Sequence, residues 1–151
     1  ASSRKGGEAD RLAVVEGLKD GTIDAIASDH APQDQDSKRL PFSQAAFGGV
    51  GLETLLAVSL ELYHNGVLPL LDVLSHLTAK PAGILGLKAG RLEKGAPADF
   101  VLFDPARPWK VVADTFRSKS KNSPFDGRPV QGRVLKTVID GRPVFALETE
   151  G

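Results

Sequence analysis

The chain has 151 residues, 41% of them hydrophobic, with nineteen basic residues set against nineteen acidic ones and no cysteine. That length suits one ordinary domain or parts of two. The charge balance gives no general attraction to nucleic acid or anionic membrane, and the lack of cysteine excludes a disulfide framework and thiolate metal ligation. No apolar stretch approaches the ~20 residues of a membrane span and no signal peptide is visible, so a cytoplasmic location is expected. The chain opens at Ala1 and contains no methionine, and the expectation is an internal or C-terminal piece of a longer protein.

In chain order, Leu12, Val15 and Leu18 recur every three positions and predict a helix from Glu8 to Lys19. Asp10 can cap its first turn, and Gly21 lies just beyond its end. The apolar run Ile23-Asp24-Ala25-Ile26-Ala27 reads as a short buried strand closed by Ser28-Asp29-His30-Ala31-Pro32. Gln33 to Arg39 is polar and charged and predicts an exposed loop. The glycine-rich turn Phe47-Gly48-Gly49-Val50-Gly51 leads into a helix from about Leu52 to His64, stopped by Asn65-Gly66. Pro69 suits the first turn of a third helix ending near Leu77. Thr78 can cap a fourth, with Pro81 tolerated in its first turn and Gly86 at its end. At Gly90 helical periodicity stops. Phe100 to Phe103 predicts a strand bounded by Asp104-Pro105, and Trp109 to Val112 predicts a second. Lys136 to Ile139 and Pro143 to Phe145 flank Asp140-Gly141, the strongest short hairpin signal. Residues 1–88 therefore read as α/β and helical, and residues 89–151 as mostly β.

Asp29 is the leading candidate for chemistry. α/β barrels place reactive groups where a strand ends and a loop begins, and a carboxylate there can hold a metal or move a proton. An aspartate that caps its own turn fits the position equally well, and position alone does not choose. His30 is expected to play a structural or supporting part, because adjacent residues of an extended chain point to opposite sides. Phe47 to Gly51 has two readings as well: a loop that needs glycine dihedrals, or a backbone surface approached by a ligand. Its spacing is not the dinucleotide fingerprint. His64 and His76, near helix ends, read as structural. Ser28, Asp29 and His30 are consecutive and cannot adopt triad geometry. Two lysines in Lys119-Ser120-Lys121-Asn122-Ser123-Pro124-Phe125 do not make a nucleic-acid site. A zinc centre needs several ligands; with three histidines and no cysteine, any metal at Asp29 requires ligands from other sequence.

Five stretches resemble, in order, the long bacterial type of dihydroorotase in the amidohydrolase superfamily. They are Gly21-Thr22-Ile23-Asp24 with Ser28-Asp29-His30-Ala31-Pro32; Pro41-Phe42; Phe47-Gly48-Gly49-Val50-Gly51-Leu52-Glu53-Thr54; Pro81-Ala82-Gly83-Ile84-Leu85-Gly86-Leu87; and Lys119-Ser120-Lys121-Asn122-Ser123-Pro124-Phe125-Asp126-Gly127. The similarity runs from about Glu8 to Phe145. It implies the C-terminal part of a (β/α)8 TIM barrel in residues 1–88, meaning its last strand and following helices. Residues 89–151 would then be the β-rich part of a small composite domain.

The implied activity is zinc-dependent, reversible cyclisation of N-carbamoyl-L-aspartate to dihydroorotate in pyrimidine biosynthesis. Asp29 takes the place of the family's metal-ligating proton carrier. Phe47 and Gly48 match a loop whose backbone contacts substrate. Gln33 stands where much of the family has a substrate-binding histidine; it can hydrogen-bond a carboxylate or carbonyl but brings no positive charge. Ser2 falls near a further substrate-contacting position, but its neighbours depart from the pattern. The remaining Zn2+ ligands belong to sequence absent here, so this chain alone is expected to be inactive. A homodimer or a complex with aspartate carbamoyltransferase fits the family. Hydantoinase or allantoinase activity is the alternative within the superfamily. A non-catalytic scaffold for the carbamoyltransferase is the alternative of a different class.

Overall fold

The computed structural model describes residues 7–148; Ser2 lies outside them. The chain divides into two compact units. One is built from residues up to Ile23, from Ala27–Val58 and from Lys110–Val130; the other from Asp24–Ile26, Ser59–Trp109 and the residues from Gln131 on.

The first unit opens with α1, Glu8–Asp20. The Asp10 carboxylate accepts from the Gly7 amide at 2.9 Å, closing the N-terminal turn, and Gly21 ends the helix at φ 82°. Gln33 to Arg39 is not the loop that its polarity predicts. It contains α2, Gln35–Arg39. The Asp34 side chain caps it, accepting from the Ser37 amide at 2.8 Å. That bond holds the Asp34 carboxyl below its ordinary pKa. The glycine turn then enters α3, Leu55–His64. Leu52 to Thr54 is a turn preceding the helix rather than its first residues, with the Thr54 and Leu55 amides both donating to the Gly51 carbonyl. Val50, Thr54, Ala57, Val111, Ala113 and Phe116 are buried in this unit.

Ile23 to Ala27 does not form a strand. Strand structure needs a neighbouring row of backbone partners, and among the described residues no strand runs beside this segment. The Ile26 amide donates to the His76 carbonyl at 3.0 Å, and one isolated parallel bridge joins His30 to Gly49.

The second unit holds α4, Leu70–Leu77, packed against α5, Ala79–Ile84. Pro69 caps α4, and Pro81 falls in the first turn of α5, where its missing amide costs no bond. Leu60, Val73 and His76 are fully buried. His76 Nδ1 donates to the Asp72 carbonyl at 2.6 Å, and Nε2 faces Lys80 Nζ at 3.1 Å, a structural use of the imidazole.

The sheet has order β1-β2-β3: β1 Phe100–Lys110, β2 Pro129–Ile139 and β3 Arg142–Ala146. The two strands expected at Phe100–Phe103 and Trp109–Val112 are one. Asp104-Pro105 does not end the first because β1 is an outer strand, where proline's missing N–H breaks no ladder. The Asp104 carboxylate accepts from the Ala106 and Arg107 amides at 2.9 and 3.2 Å, which supports the chain past the proline. β2 and β3 are antiparallel around Asp140 (φ 49°) and Gly141 (φ 73°), with Ile139 opposite Arg142 and a bulge at Thr137/Val138. Among the described residues no helix is long and apolar enough to cross a membrane.

Candidate active site

Three segments of the first unit meet at the end of the Ile23–Ala27 run. The first is Ser28 to Gln33. Asp29 is exposed and His30 half-buried. His30 Nδ1 accepts from the Gly51 amide at 3.1 Å and from the Leu52 amide at 3.5 Å. Backbone amides only donate, so Nδ1 carries no proton there. His30 therefore ties this segment to the glycine turn, and that nitrogen is unavailable to a metal.

The second segment is the glycine turn itself. Gly48 has φ +104°, and a Cβ built on it would lie 2.6 Å from Ala31 Cβ and 2.9 Å from the Ala31 oxygen. A Cβ on Gly51 would lie 2.9 Å from Ser28 Cβ. The glycines thus serve dihedral freedom and close approach to residues 28–31 together. The Ala31 amide donates to the Gly49 carbonyl at 3.0 Å. Phe47 is 66% exposed at the edge of this turn. Lys38, on α2, reaches it as well: its Nζ donates to the carbonyls of Ala46 at 2.8 Å and Gly48 at 2.7 Å.

The third segment is Ser120 to Pro124. The Gln33 amide donates to Ser120 Oγ at 3.2 Å and Asn122 Oδ1 at 3.3 Å. The Ser120 hydroxyl lies against the Gln33 carbonyl and Asn122 Oδ1. Asn122 Nδ2 donates to the Gly48 carbonyl at 3.1 Å, and the Asn122 carbonyl accepts from the Val50 amide at 3.1 Å. The Glu53 carboxylate accepts from the amides of Arg117 and Ser118, each at 3.1 Å, and Lys121 Nζ donates to the Phe116 carbonyl at 2.5 Å. These bonds anchor the chain that presents Asn122.

Asp29, Gln33, Phe47 and Gly48 therefore lie on segments hydrogen-bonded into one assembly. Lys38, Ser120 and Asn122, which residue type alone did not mark, hold it together. Asn122 did lie within a family-like stretch, the one signal that could have singled it out. His64 and His76 belong to the other unit. Among the described residues no group of three His, Cys, Asp or Glu side chains could hold a metal. The donor set at this site is one exposed carboxylate, Asp29. It fits as a single ligand and not as a whole zinc centre.

The model of the amidohydrolase family matches residues 1–144. A dihydroorotase from Wolbachia sp. subsp. Drosophila simulans (strain wRi) is 57% identical over 139 residues, covering 92% of this chain and 32% of the relative. One from Anaplasma phagocytophilum (strain HZ) is 55% identical over 141 residues, covering 93% and 32%. Among solved structures, the L-hydantoinase (dihydropyrimidinase) from Arthrobacter aurescens is similar with TM-score 0.86 at 32% identity, over 93% of this chain and 34% of that one. The chain spans about a third of the length of the curated relatives it matches.

Proposed function

Because the chain belongs to the amidohydrolase family, we propose that it is the C-terminal third of a dihydroorotase, which reversibly closes N-carbamoyl-L-aspartate to dihydroorotate. What carries the reading is that three of the family-like stretches form one connected hydrogen-bonded set: Phe47–Thr54 is bonded both to Ser28–Pro32, which contains Asp29, and to Lys119–Gly127. Residues 1–88 would contribute the last strand and following helices of a TIM barrel, and residues 89–151 the β-rich part of a second domain. The site in this reading is completed by upstream sequence, and the protein works in the cytoplasm. A homodimer or a complex with aspartate carbamoyltransferase remains within the same proposal.

In the proposed reaction Asp29 takes the proton released when water attacks the ring amide carbon, and returns it to the departing ring nitrogen. The same carboxylate would be one ligand of a zinc ion. Bound there, zinc would supply Lewis-acid polarisation and a water acidic enough to ionise near neutral pH. Phe47 and Gly48 would present main chain to the substrate, and the Gln33 side chain a neutral hydrogen-bonding group. Hydantoinase activity is the second reading, favoured by the hydantoinase likeness of the fold. The 57% identity to a protein named dihydroorotase supports the first.

The deciding experiment assays the full-length protein with dihydroorotate and with hydantoins. Turnover of hydantoins alone would sink the first reading. The 151-residue chain by itself is expected to keep no stoichiometric zinc through dialysis and to turn over neither substrate, since it supplies one ligand where three or four are needed. A zinc-loaded, active chain would overturn that.

Gln33→Ala in the full-length protein is expected to raise KM more than it lowers kcat. The Gln33 main chain stays anchored by Ser120 and Asn122, so the variant removes only what the side chain does. A hydrogen bond to a charged group contributes roughly 1.5–3 kcal/mol, about a 10- to 150-fold loss of kcat/KM. Its contact changes little between ground and transition states, which places the loss in KM. Unchanged steady-state constants would leave Gln33 as loop surface.

A further inference from the structure

We propose that Lys38 and Asn122 are positioning residues, which together pin the carbonyl oxygen of Gly48 and so set the main chain of the glycine turn beside Asp29. The Gly48 oxygen receives Lys38 Nζ at 2.7 Å and Asn122 Nδ2 at 3.1 Å, which uses both of its lone pairs. Lys38 also holds the Ala46 oxygen at 2.8 Å. A peptide group is planar and trans, so fixing a C=O fixes the N–H of the next residue on the opposite side. The Ala46 bond thereby orients the Phe47 N–H, and the two Gly48 bonds orient the Gly49 N–H. Without these donors, a Phe-Gly-Gly run has wide conformational freedom and would have to be ordered each time substrate binds.

Asn122 does more than close one turn. Its Oδ1 accepts from the Gln33 amide at 3.3 Å, and its main-chain oxygen accepts from the Val50 amide at 3.1 Å. One residue thus braces the segment just after Asp29 and the glycine turn facing it. Lys38 reaches the same carbonyl from α2, whose register is set by the Asp34 cap. Neither residue touches the reacting atoms in this scheme. Both act through the backbone they hold. The kinetic part of the inference rests on the dihydroorotase reading.

The test uses the full-length protein with Asn122→Ala, Lys38→Met, the double variant and Lys38→Arg. Each single loss is expected to raise KM for dihydroorotate about tenfold or more, with a smaller change in kcat and unchanged zinc content. Because both donors serve one oxygen, the double variant should lose less than the product of the single losses. Lys38→Arg keeps a cationic donor and should recover most of the loss seen in Lys38→Met. Unchanged KM in folded variants, losses that multiply, or equal KM in Lys38→Met and Lys38→Arg would overturn the proposal. If Asn122→Ala does not fold, the two Lys38 variants decide alone. If the wild-type protein does not turn over dihydroorotate, the functional reading fails and hydrogen exchange still decides the brace. The Gln33 amide should exchange at least tenfold faster in Lys38→Met or Asn122→Ala than in wild type, and unchanged exchange would remove the coupling between the two segments.

Discussion

Asp29→Asn in the full-length protein is expected to reduce kcat by roughly 10²–10⁴-fold from lost proton transfer alone, and further if the metal is held less tightly. The carboxamide has nearly the same shape but can neither accept the proton of the attacking water nor return it to the leaving nitrogen. It also removes a negative charge that a bound cation would need. Asp29 is exposed, so the substitution disturbs no core packing, and the thermal melt should be close to wild type. Measuring kcat, zinc content and melting temperature on one preparation separates these effects. Activity within a few-fold of wild type would take Asp29 out of the mechanism.

Gly48→Ala is the second large effect, and it acts through the fold. At φ +104° an L side chain is strained, and its Cβ would sit 2.6 Å from Ala31 Cβ and 2.9 Å from the Ala31 oxygen. Neither atom is the end of a flexible side chain, so backbone must move. Strain of this kind costs about 1–3 kcal/mol, and forced overpacking costs about 1–3 kcal/mol more. The displaced turn would also lose its bonds from Lys38 and Asn122. Gly21→Ala is the control, because Gly21 has φ +82° with nothing within 4 Å of its added Cβ. It carries dihedral strain without collision. Chemical denaturation should rank Gly48→Ala well below Gly21→Ala in stability. Equal midpoints for the two would show that the approach to Ala31 is not the constraint it looks to be.

The segments that read well are those whose signals are local. α1 carries its cap and breaker within a few residues, in Asp10 and Gly21, whereas Thr78 stands at the N-terminus of α5 but its hydroxyl donates to the Leu74 carbonyl instead of capping. The Asp140-Gly141 turn specifies its hairpin by backbone dihedrals alone. Asp34 was equally local, but it lay inside a charged run whose polarity masked an N-cap. Asp104-Pro105 misled for the opposite reason. A proline ends a central strand and is harmless in an outer one, and strand order is not written in the dipeptide.

The residues by themselves determined the family, through five stretches in order along the chain, and the glycine turn, a short contiguous pattern; they marked Asp29 as a candidate proton carrier only through that resemblance. Only the tertiary structure decided what holds that turn. The bonds from Gln33 to Ser120 and Asn122 and from Asn122 to Gly48 span 87, 89 and 74 positions. No periodicity, cap or turn signal reaches across such distances, since they form only when separate segments close on one another and the loop-closure entropy is offset by packing. For the same reason Ile23 to Ala27 reads as a strand yet forms none: it is a short, mostly apolar run closed by turn residues, but the partner row that makes a strand has to come from elsewhere in the fold.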